Sequence, residues 1–211
     1  MISRPQPVRS NADLLIVFVK APRPGLVKTR LARELGFDGA ALAYRQLAEK
    51  VLSTIGSGMN VELRFSPDDA GIEIRPWLRP GWRATPQGAG DLGERLDRAF
   101  ADAFAAGAER VLIIGSDCPE MTTADLSEAW MALRTVDLVL GPARDGGYWL
   151  IGLRGPQPGL FRNIPWSTDR VLRMTEELAQ ASGLELHLLR ELNDIDSISD
   201  WTEWLQRQHA R

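Results

Sequence analysis

Five basic residues and no acidic one fall between Leu14 and Arg33: Lys20, Arg23, Lys28, Arg30 and Arg33. Arg33 fits the solvated face of a helix, but the other four lie in or just after Lys20-Ala21-Pro22-Arg23-Pro24-Gly25, where two prolines and a glycine stiffen the backbone. A rigid cationic loop that opens a helix is what phosphate oxygens need: backbone donors plus side chains that reach them. It is not the Walker arrangement, which ends in Gly-Lys-Ser/Thr. The second chemical feature is Asp117 in Gly115-Ser116-Asp117-Cys118-Pro119, directly after the apolar run 111–114. A carboxylate there can hold a divalent metal on a polyphosphate, or cap the following turn. Asp194-Ile195-Asp196 offers Asp196 as a further metal ligand, although its place before a terminal helix, with Ser197-x-x-Asp200 as a capping box, suits capping. Cys118 has no histidine near it in sequence to lower its pKa and reads as a packed thiol.

These residues need a frame, and the hydrophobic pattern supplies one. Residues 14–19 and 111–114 are unbroken branched or aromatic runs of strand length, as expected of strands covered on both faces. In parallel α/β sheets ligands bind beyond the carboxyl ends of the strands, which places the basic loop and Asp117 at one rim. Further strands are predicted near 61–65, 82–85, 136–140, 148–153 and 184–189. Helices are predicted from Val27 to about Gly56 with an interruption at 36–39, from the Asp68-Asp69 turn to about Leu78, and through Leu96, Phe100, Ala103 and Phe104. Thr122-x-x-Asp125 forms a capping box for a helix to about Leu133, Trp166-Ser167-Thr168 starts another to about Ala181, and a last one carries Trp201, Trp204 and Leu205. The short connection before 148–153 predicts an antiparallel strand in an otherwise parallel sheet.

Bulk properties narrow the function class. At 211 residues with net charge −3 and no run of Lys or Arg, the chain suits one domain and small-molecule partners, not nucleic acid or a membrane surface. One cysteine and two distant histidines argue against a disulfide framework and against a zinc site. Residues 1–12 read as a loose polar tail ahead of a domain over 13–211, and the absence of a leader or spanning segment makes the cytoplasm the expected location.

Five blocks taken together carry a resemblance: the stretch from Phe18 to Leu31, Gly90-Asp91-Leu92-Gly93-Glu94-Arg95, Gly115-Ser116-Asp117-Cys118-Pro119, Gly141-Pro142-Ala143-Arg144-Asp145-Gly146-Gly147-Tyr148 and Asp194-Ile195-Asp196. From about Asp13 to about Leu205 the chain resembles the DUF2064 family, which carries a glycosyltransferase label. The blocks are similar, more loosely, to those of the phospholactate and molybdopterin nucleotidyltransferases. The resemblance implies a single-domain α/β, Rossmann-like nucleotide-diphospho-sugar transferase (GT-A) fold with a mostly parallel mixed sheet and helices on both faces. It implies that Lys20, Arg23, Lys28 and Arg30 hold phosphates and that residues 88–93, with Gly88, Asp91 and Gly93, pass close to the base or ribose. Asp117 would bind Mg²⁺ or Mn²⁺. Asp91 also has the position of a simple helix cap.

One departure matters: glycosyltransferases of this fold present Asp-x-Asp at the end of the central strand, whereas here Gly115 stands two before Asp117. A second carboxylate is then expected from Asp145 or Asp196, or else the site binds metal weakly through the nucleotide. On the acceptor side, Asp145 can take a proton or bind metal, Gly146 and Gly147 let the loop fold over a ligand, and the Tyr148 ring can stack on a sugar face or begin a core strand. Trp166, Ser167 and Thr168 provide either a helix cap or an anion contact. The expected function is a metal-dependent transferase moving a glycosyl group from a nucleotide-sugar to a small acceptor, with Asp145 and Lys28 in catalytic roles. The alternatives are nucleotidyl transfer from an NTP and a catalytically silent nucleotide binder.

Overall fold

The structure, a computed structural model, describes residues 13–209; the expected N-terminal tail lies outside the described residues. Seven strands form one sheet: β1 (Asp13–Lys20), β2 (Val61–Ser66), β3 (Arg83–Pro86), β4 (Arg110–Ile114), β5 (Leu138–Pro142), β6 (Tyr148–Leu153) and β7 (Leu186–Leu188), in the order β3-β2-β1-β4-β6-β5-β7. β6 runs antiparallel to β4 and β5, and the other pairings are parallel. The predicted single antiparallel strand is therefore present. Among the described residues six helices flank the sheet: α1 (Ala32–Thr54), α2 (Gly71–Ile74), α3 (Leu92–Ala105), α4 (Thr123–Ala132), α5 (Val171–Ala181) and α6 (Ile198–His209).

Alternation along the buried strands creates two cores. Leu15, Val17 and Val19 of β1 and Leu112 and Ile114 of β4 meet α1 and α4, while Leu14, Ile16, Val111 and Ile113 meet α3 on the other face. Burial on both faces explains the unbroken apolar runs. A third cluster joins Leu31, Ala40 and Leu47 to Ile195, Trp201 and Trp204, which fastens α6 and the segment before it to the start of α1.

Three predicted helices differ in extent. α1 begins at Ala32 because residues 25–31 form turns, and it is kinked at Gly36, whose φ of 68° a non-glycine residue rarely adopts. The helix expected to reach Leu78 is only α2 followed by a 3₁₀ turn over Arg75–Trp77, since Pro76 cannot continue the α-helical bonding. Trp166-Ser167-Thr168 is a turn, and α5 starts at Val171.

Candidate active site

The chain runs from β1 to β2 and β3 on one side, then returns through α3 to β4 on the other. The carboxyl ends of β1 and β4 are thus a topological switch point, where α/β sheets open a crevice. A cleft of about 550 Å³ lies there. Phe18, Leu92, Leu96, Ile113 and Trp166 give it apolar walls, and Lys20, Ser116 and Asp117 its floor near the strand ends. Tyr44 of α1 pins that floor: its hydroxyl accepts from the Lys20 amide at 2.7 Å and lies 2.8 Å from Ser116 Oγ. Burial raises the Tyr44 pKa, so this phenol stays neutral.

The cleft continues into a polar depression of about 380 Å³, with Lys20, Tyr44, Asp117 and Ser167 shared by both and Lys28, Arg30 and Asp196 added. Lys28 is its centre. The side chain is only 5% exposed, and Nζ lies 3.0 Å from Asp117 Oδ1 and 2.9 Å from Asp196 Oδ1. Burial pulls the Lys28 pKa down, but the two carboxylates outweigh it and hold the ammonium charged. Its backbone has φ 45°, a left-handed conformation that costs a non-glycine residue about 1–2 kcal/mol. Arg30 reaches Asp196 from the open side at 3.4 Å.

Arg30 and Asp196 also line a third depression, of about 560 Å³, together with Arg144, Asp145 and Asp194. The tip of the loop after β5 is folded by Asp145 itself, whose Oδ1 accepts from the Gly147 amide at 2.8 Å. Gly146 has φ 87°, and a Cβ there would stand 2.3 Å from the Asp169 carbonyl oxygen, so the close approach of these two turns requires glycine. Asp194 is raised to about 6 by burial first and then by Asp145 and Asp196.

Several predicted residues therefore converge: Lys20, Lys28, Arg30, Asp117, Ser167 and Asp196 around one depression, Trp166 in the adjoining cleft, and Asp145 in the next basin. Of the two candidates for a second carboxylate, it is Asp196 that shares the Lys28 ammonium with Asp117. Tyr148 and Trp149 do take opposite faces of the sheet. Tyr148 borders the cleft and meets Trp166 edge-on, with centroids 6.5 Å apart.

Other expectations change. Arg23 turns away to Asp69 at 3.0 Å and Glu73 at 2.5 Å, acids that follow β2 and bind its guanidinium from outside the depression. Asp91 is the α3 N-cap in a complete capping box with Glu94, while its residue also borders the cleft. Gly88 gives its amide to Asp68 at 3.0 Å. Gly93 packs under Trp166 and Phe161, where a Cβ would stand 2.6 Å from Trp166 Nε1. Thr168 Oγ1 is turned to the Pro165 carbonyl at 2.7 Å.

Sequence reasoning missed Tyr44, Gln87, Arg95 and Asp194. Buried Gln87 donates to the Val19 and Arg64 carbonyls and accepts from Arg95, whose Nε also holds the Gly90 carbonyl. Tyr44 lies inside a helix among apolar neighbours, and only its hydroxyl distinguishes it. Asp194 carried a signal, since it is half of the Asp-x-Asp already noticed.

Fold and cleft define an α/β protein of the nucleotide-diphospho-sugar transferase type. A structure from Desulfovibrio desulfuricans G20, assigned as a candidate nucleotide-diphospho-sugar transferase, is 35% identical over 94% of this chain and 87% of its own, with a TM-score of 0.85. The family model described as "Uncharacterized protein conserved in bacteria (DUF2064)" matches residues 52–168, and the chain belongs to this family. Two remoter structures share the fold. The 4-diphosphocytidyl-2C-methyl-D-erythritol synthase of Anaerococcus prevotii DSM 20548 is 13% identical over 93% of this chain and 100% of its own, at TM-score 0.61. Glucosyl-3-phosphoglycerate synthase of Mycobacterium tuberculosis, in complex with Mn²⁺, UDP and glucosyl-3-phosphoglycerate, is 15% identical over 99% and 83%, at TM-score 0.52. No curated protein matches the chain. Among the described residues, no helix is long and apolar enough to cross a membrane.

Proposed function

We propose that the chain is a transferase that moves a glycosyl group from a nucleotide-diphospho-sugar to a small acceptor. The observation that carries this reading is the continuity of three depressions of different character: an apolar cleft at the switch point, a cationic step at Lys28, and an open basin holding Asp145. A base and ribose suit the first, a diphosphate the second, and a hydroxylated acceptor the third. Lys20, Lys28 and Arg30 offset charge as it develops on the leaving diphosphate; the Lys20 backbone is held at the strand end, and Lys28 and Arg30 are gathered there by Asp196. Asp145, with one oxygen engaged by Gly147, presents the other to the acceptor, where it orients a hydroxyl and takes its proton. Ser167 closes the phosphate step from the side of α5.

A divalent cation, Mg²⁺ or Mn²⁺, fits the donor set: Asp117 and Asp196 are hard oxygen ligands facing one cation position. Among the described residues no group of three or more His, Cys, Asp or Glu side chains could hold an ion, so nucleotide phosphates and water would complete the shell. When bound, the ion supplies positive charge at the diphosphate. Nucleotide substrates and a lone thiol both suit the cytoplasm.

The second reading is nucleotidyl transfer, in which a substrate phosphate attacks the α-phosphate of an NTP and pyrophosphate leaves. It is favoured by the Gly147 hydrogen bond to Asp145, which ties one carboxylate oxygen into the fold of the loop itself, because a phosphate nucleophile needs no general base. Product analysis separates the two: release of nucleoside diphosphate from a nucleotide-sugar supports glycosyl transfer, and release of pyrophosphate from an NTP supports the other. Under glycosyl transfer Asp145→Asn lowers kcat by roughly 100-fold or more while leaving donor affinity intact. A loss of less than tenfold in kcat would remove Asp145 from the base role.

A further inference from the structure

We propose that Lys28 is a place-holding cation: in the nucleotide-free chain its ammonium occupies the position between Asp117 and Asp196 that a divalent ion takes on loading, so the protein accepts that ion only together with nucleotide. This rests on the nucleotide-binding reading above and concerns how the same site is loaded.

Two carboxylates aimed at one point repel each other unless a cation lies between them, and here the cation belongs to the chain. Lys28 enters from the protein side with its stem buried, whereas the Asp117 and Asp196 side chains remain 45% and 39% exposed toward the depression. An incoming ion can therefore reach the pair from solvent, but the position between the two Oδ1 atoms is already held by the ammonium, which disfavours it. Other charges do not remove the conflict. Arg30 adds positive charge at Asp196, Lys20 lines the same depression, and Asp145 and Asp194 belong to the neighbouring basin.

Nucleotide phosphates change the balance because they offer the ammonium other oxygens. Lys28 is suited to such an exchange. It sits in the turns between β1 and α1, outside regular structure, on a flexible four-carbon stem, with its backbone at φ 45°. Loading by nucleotide and by metal are then coupled, and the coupling is reciprocal.

The test uses the whole chain and Mn²⁺ alone, followed by the paramagnetic resonance signal of the free ion. Wild-type protein should show no saturable site, whereas Lys28→Met should bind one Mn²⁺ per chain roughly 10- to 100-fold more tightly, and Lys28→Met with Asp196→Asn should lose that gain. Lys28→Gln, which keeps a polar side chain of similar reach, repeats the experiment in a milder background. Saturable binding of Mn²⁺ alone to the wild type, or no gain in either folded Lys28 variant, overturns the proposal. So does failure of both variants to fold, since an ammonium the fold cannot spare is not exchangeable. Failure of the nucleotide reading shows separately, as wild-type protein that no nucleotide stabilises against heat.

Discussion

At the scale of single residues, what a side chain does here is decided by where its charge goes. Four basic residues of the first loop look alike in sequence, yet Arg23 is spent on Asp69 and Glu73 while Lys28 is buried between Asp117 and Asp196. Nothing local distinguishes them, because the acids that capture them lie 46 residues or more away along the chain. Cys118 shows the opposite case. Its sequence context, without a histidine, argued for a packed thiol, and the structure buries it and pushes its pKa up through desolvation and the neighbouring Asp117. Native protein should accordingly leave Cys118 unmodified by Ellman's reagent over minutes and release one thiol equivalent on unfolding. Prompt labelling of the native chain would contradict that placement.

Elements were legible where a local signal exists and blurred where the cause is tertiary. The cap at Asp91 and the capping boxes at Thr122 and Ser197 all form, the unbroken apolar runs are buried strands, and the kink lies within 36–39. The false start at Trp166 has a backbone cause: Ser167 stands at φ 65°, which no right-handed helix accepts, and α5 begins only at Val171, while Trp166 covers Gly93 of α3. Gly93→Ala should cost about 1–3 kcal/mol by overpacking, read as a lower denaturant midpoint with an unchanged slope. α4 offers a test by pH. Burial works against the Asp125 carboxylate, but hydrogen bonds from Arg190 and Thr122 outweigh it, so the folded pKa lies below the ordinary value. Its stabilisation is therefore present above the unfolded pKa of about 4 and is lost as pH falls through the lower folded value. Asp125→Asn should cost about 1–3 kcal/mol at pH 7 and progressively less toward pH 3, measured by thermal unfolding. A cost that does not change with pH would contradict the assignment.

At the scale of the molecule, strand order makes the site. Because β1 sends the chain first to β2 and later to β4, three segments far apart in sequence face one crevice, and α6 brings Asp196 to them through the Trp201 and Trp204 packing on α1. That return is why Asp196 joins Asp117 although 78 residues lie between them in the chain. Motifs revealed the rim, but not which carboxylates share it, since that depends on a helix packing the sequence pattern does not encode. The central claim is that the cleft and the Lys28 depression together hold a nucleotide by its base and phosphates. Its most direct test is a thermal-shift series with UDP-, GDP-, ADP- and dTDP-sugars against CTP, GTP, ATP and UTP, each with and without Mg²⁺ or Mn²⁺. At about a hundredfold excess over its Kd, the right ligand adds about 2.7 kcal/mol, or roughly 5–10 °C in Tm. The account predicts such a shift for one nucleotide class in wild-type protein and its loss in Lys20→Ala combined with Arg30→Ala; an unchanged Tm across the whole series would contradict it.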